Sequence, residues 1–82
     1  MTAPRAIRVV FQKDWAAAER RGLLAPDARV RTLGRVLVSY PEVRHIVPDR
    51  ISLDASVDAR TLETLMRFLE RQSWLVKSVV LE

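Results

Sequence analysis

His45 is the one histidine of this 82-residue chain, with Glu42 three positions before it and Asp49 four positions after. Imidazole beside two carboxylates is a set that can hold a metal or relay a proton. On one helix, these offsets would bring all three groups to one face. Pro41 and Pro48 bracket the segment, however, and rule out a continuous helix through it. The trio therefore reads as part of a solvated connector.

The remaining candidates for chemistry are thinner. Asp54 and Asp58 flank a strand–helix junction, and Asp58 is used there as a helix cap, so no carboxylate pair of acid–base type remains. Ser52, Ser56, Ser73 and Ser78 have no base assigned to activate them. The absence of cysteine excludes disulfides, thiolate metal sites and Cys nucleophiles. With two glycines in the chain, none of the known phosphate-cradling loops is present. The expectation is a protein without enzymatic activity, metal, cofactor or small-molecule substrate.

Charge is the next signal. The net charge is +4, and residues 1–50 hold ten Lys/Arg against five Asp/Glu, whereas residues 51–82 hold four against five. Clustered guanidinium groups suit phosphate contact. Arg8, Arg29, Arg31, Arg35, Arg44 and Arg50 are thus the candidate nucleic-acid residues. Single-stranded RNA platforms stack bases on aromatic side chains of the central strands. The stretch Ile51–Val57 has no aromatic residue, and alternation turns Phe11 inward, so that comparison fails and backbone contact is what remains.

The elements that would position these groups follow from periodicity. Met1–Arg5 reads as a frayed start. Ala6–Phe11 alternates as a strand, with Ile7, Val9 and Phe11 on one face. Asp14 is expected to cap a short helix through Arg21, closed at Gly22 and anchored by Trp15, Leu23 and Leu24. Over 28–40, Val30, Leu33, Val36, Leu37 and Tyr40 fit a helix. β-branched residues, Gly34 and Pro41 instead favour a bent strand, firmest over 35–40, and that is the reading adopted. Residues 41–50 form a connector. Ile51–Val57 alternates as a strand; Asp58 then caps a helix bearing Leu62, Leu65, Met66 and Leu69, with Val57 and Leu62 as a hydrophobic staple. Trp74–Leu81 closes the chain as a strand.

In order this is β-α-β-β-α-β, the pattern of the ferredoxin-like arrangement. One α+β domain over 1–82 is expected, with two helices on one face of a four-stranded antiparallel sheet. The strand from Ala6 should lie between the other two strands just described, which run parallel to each other. A helical 28–40 would change this to a three-stranded sheet with three helices.

Function is then a matter of surface. Under this fold Val10, Leu33 and Leu37 share the open sheet face, and the last strand is apolar on both sides, through Trp74, Val76 and Val80 on one and Leu75, Val79 and Leu81 on the other. Such a strand is ordinarily buried twice over, which a chain this small cannot do alone. The leading expectation is a cytoplasmic interaction or assembly module that self-associates or docks on a protein. Its candidate interface is Val10, Leu33, Leu37, Leu75, Val79 and Leu81. The alternative is a nucleic-acid binder using the six arginines above. Apolar runs are too short for a membrane span.

Overall fold

A computed structural model describes residues 6–82; the expected frayed start, Met1–Arg5, lies outside the described residues. The order is β1 (Ala6–Phe11), α1 (Lys13–Arg20), α2 (Ala28–Val36), β2 (Val43–Val47), β3 (Arg50–Leu53), α3 (Ala59–Arg71) and β4 (Val76–Leu81). The strands form one antiparallel sheet in the order β2-β3-β1-β4. This is the ferredoxin-like α+β architecture, with β1 between β3 and β4 as expected.

The fourth strand is not the one the sequence suggested. Residues 28–36 are helical, so the sheet is completed by 43–47 and the helices among the described residues number three. Helix α2 forms because Leu33 and Leu37, one turn apart, both enter the core; that tertiary gain overrides the β-branched composition. Gly34 packs beneath β2, where an added Cβ would stand an ordinary 3.9 Å from Ile46 Cδ1. Gly34→Ala should therefore stabilise the fold by about 0.5–1 kcal/mol through helix propensity, read as a raised urea midpoint.

Segment 43–47 was hidden by its prolines and by an irregularity. Val43 pairs with Leu53 and His45 with Ser52, so Arg44 is an extra residue in the ladder. Pro48 and Asp49 then form a two-residue turn, with Val47 paired to Arg50. Strand β3 is shorter than the alternating stretch implied. It stops at Leu53 because the Asp54 carboxylate turns onto the backbone N–H of Ser56, at 2.9 Å, and onto its hydroxyl, at 2.8 Å.

The helices differ in how they are held. Asp58 caps α3 as expected, accepting from Thr61 N–H at 2.7 Å, and Leu62, Leu65 and Leu69 form its buried stripe. Helix α1 starts at Lys13, so Gln12 and not Asp14 holds the cap position, without a side-chain cap bond, and the helix buries no residue fully. Its end is the expected Schellman closure: Leu23 N–H donates to Ala18 O and Gly22 N–H to Glu19 O, with Gly22 at φ 75°. Leu23 is no anchor, being 72% exposed. Trp15 is held through its indole N–H to Trp74 O at 3.1 Å. The core is Ile7, Val9, Phe11, Ile51, Leu53 and Val76 of the sheet against the leucines of α2 and α3, with Leu75 beneath the turn before β4.

Candidate interaction surface

All core residues of β1 and β3 face the helices, so the register assigns what the opposite face carries. Arg8 lies between Arg50 and Val80, and Val10 lies beside Ser78. Val47 pairs with Arg50, and His45 with Ser52. The face thus presents Val10, Val47 and Val80, exposed at 38, 39 and 52%, around a small ionic cluster. In that cluster Glu82 accepts from Arg8 at 3.1 Å and from Arg50 at 2.8 Å. Two guanidinium groups converge on one carboxylate, so the charges of the cluster are paired in part and one net positive charge remains.

Strand β4 borders this face and is irregular. Phe11 pairs with Val76 and Val10 with Ser78, leaving Lys77 as an added residue. The bulge places Val76, Val79 and Leu81 on the helix side and Val80 on the open side, correcting the alternation that grouped Val76 with Val80. Val79 is half-buried, whereas Leu81 is 49% exposed although it shares the side of the core residue Ile7.

The expected interface residues are therefore divided. Val10 and Leu81 are at the surface and Val79 is partly so. Leu33, Leu37 and Leu75 are core residues, because helical 28–36 turns the first two inward and the turn before β4 buries the third. Val47 and Val80 are surface members that the sequence did not supply: Val47 because 41–50 reads as a connector, and Val80 because the Lys77 bulge reverses the alternation of β4.

The arginines are divided as well. Arg29 is held by Glu19 through Nε at 2.9 Å and lies 5.6 Å above the Phe11 ring. Arg44 is held by Asp54, with Nε at 3.1 Å from Oδ2, and Arg8 and Arg50 by Glu82. Arg31 and Arg35 have no ion-pair partner among the described residues and line a shallow concavity of 180 Å³ on α2 with Ala25, Ala28 and Thr32. They are on a helix, not on the sheet face with Arg8, so the six do not form one patch.

Asp54 has a carboxyl held well below the usual carboxylate range, first by the Ser56 backbone N–H, then by the Arg44 guanidinium and the Ser56 hydroxyl. A carboxyl lowered by folding contributes stability above its unfolded pKa of about 4, and this is lost as pH falls below that value. Asp54→Asn should be less stable than wild type at pH 7, and the gap between the two urea midpoints should narrow progressively as pH falls below about 4. Among the described residues no cluster of His, Asp and Glu could hold a metal ion, and the His45 Nδ1 lies 3.3 Å from the carbonyl of Arg44. No described helix is long and apolar enough to cross a membrane. No protein-family model, curated protein or solved structure matches this chain, so its surface is read from its own residues.

Proposed function

We propose that this chain is a small, non-catalytic, cytoplasmic interaction module that docks on protein through the uncovered sheet face and its β4 border. One observation carries the reading. Val80 and Leu81 emerge on opposite sides of an edge strand, each about half exposed at 52 and 49%. A strand apolar on both sides is served by a neighbour that continues the sheet or covers it, and Val10 and Val47 extend the apolar area across the face. The Arg8–Glu82–Arg50 cluster supports the same use, since partly paired charges cost less to cover than lone ones.

The test is capture by cross-linking in the native cell, with Val80→Lys as the comparison. A second copy of the chain or a specific protein held by wild type and lost from Val80→Lys supports the reading. Wild type that holds neither overturns it.

A second reading, nucleic-acid backbone contact, is favoured by the unpaired Arg31 and Arg35. Fluorescence anisotropy with labelled single- and double-stranded oligonucleotides at about 50 mM salt, where counterion release is most favourable, tests it. Binding weakened by Arg31→Ala and Arg35→Ala supports it, and no binding at that salt eliminates it.

A further inference from the structure

We infer that the occupant of the β4 edge is a second copy of this chain, paired β4 to β4 in antiparallel register about Val80 to make one eight-stranded sheet. The inference rests on the interaction reading above and names its partner.

Two backbone bonds fix which groups are on offer. Val9 N–H donates to Asp49 O at 3.0 Å and Glu82 N–H to Ala6 O at 2.9 Å. The odd residues of β1 therefore face β3 and the even ones face β4. With Ile7 opposite Leu81 and Val9 opposite Val79, the peptide groups of Val79 and Leu81 point away from β1, toward the free edge. They are two donors and two acceptors at the spacing an antiparallel strand requires.

The side chains then select the partner. When two copies of β4 pair about a two-fold axis through Val80, Val79 of each copy exchanges both bonds with Leu81 of the other, giving four interstrand hydrogen bonds. On the helix side Val79 meets Leu81 twice, which covers the half-exposed Leu81. On the open side Val80 meets Val80, and Ser78 meets Glu82. Every cross-strand pair is apolar on apolar or polar on polar, and no like charges oppose. Moving the axis to Val79 would set Lys77 against Leu81 and Ser78 against Val80, a poorer match.

The two edges of the sheet also explain why pairing would stop at two copies. Pro41, Pro48 and the extra residue Arg44 interrupt the β2 edge, and Lys77 with its bulge ends the flat part of β4 at Ser78. Such features block strand addition. Only Ser78–Leu81 remains open, and an isologous contact there closes on itself.

The absence of cysteine makes the test direct. Val80 opposite Val80 is a non-hydrogen-bonded pair with Cα atoms about 4.5 Å apart, within the range a disulfide spans. Under mild oxidation Val80→Cys should form a covalent dimer at least tenfold faster than Val38→Cys, which is 82% exposed after α2, lies outside the proposed surface and serves as the collision control. Sedimentation of wild type from about 1 μM to 1 mM should show a monomer–dimer equilibrium, and Val80→Lys should weaken it at least tenfold. Equal cross-linking of the two cysteine variants overturns the register. A monomeric wild type overturns the second copy: if it still holds a partner that Val80→Lys loses, the interaction reading stands, and if it holds none, both fall.

Discussion

Leu69→Ala should cost this fold about 3–4 kcal/mol and lower its melting temperature by roughly 15–25 °C. Leu69 is fully buried on α3 within the core that includes Ile7, Ile51 and Leu65, and alanine would leave a cavity that a single two-layer core can close only in part. A domain of this length has a total stability of about 4–12 kcal/mol, so the variant should be partly unfolded at 37 °C. Urea denaturation followed by tryptophan fluorescence checks it. A loss below about 1 kcal/mol would mean that α3 is not packed as described.

Glu19→Ala should produce the next largest effect, about 2 kcal/mol. The Glu19 side chain is 8% exposed and accepts from the Arg29 backbone N–H at 2.8 Å and from its Nε at 2.9 Å. The carboxylate thus clasps the last turn of α1 to the first turn of α2. Removing it strands a half-buried guanidinium and a backbone donor together, which is why the cost exceeds that of a surface ion pair. Because α1 buries no residue fully, the loss should be local at first. Amides of 15–21 should exchange with solvent by a lower-energy opening in Glu19→Ala than in wild type, while those of α3 report the global change. Glu19→Gln keeps an acceptor for the backbone N–H and should recover about half of the loss.

How much of this was legible in the sequence depended on whether an element kept its period. Helix α3 announced its cap, staple and stripe, and β1 its alternation, so the central strand and the crossover through α3 followed without coordinates. Helix α2 was misread because its valines, its glycine and the following proline all argue locally for extended chain. What decides the matter is Leu33 and Leu37 meeting a core that the local sequence does not contain. Strand β2 went unseen because Pro41 and Pro48 bracket it, and an added residue obscured the alternation there as it did in β4. Arg44 and Lys77 each add a residue to a ladder, and a period of two does not survive an odd insertion. The interface residues Leu33, Leu37 and Leu75 were lost with those assignments, and Val47 and Val80 were gained by the same correction.

The extra residue in β4 has a corollary. Val76, Ser78, Val79, Val80 and Leu81 already alternate once Lys77 is passed over, and each stands opposite its partner on β1. A chain shortened by deletion of Lys77 should therefore retain every contact of β4 with the core while straightening the border of the sheet and removing its charge. Such a shortened chain should accordingly stay folded and be the more prone to polymerise through that straightened border.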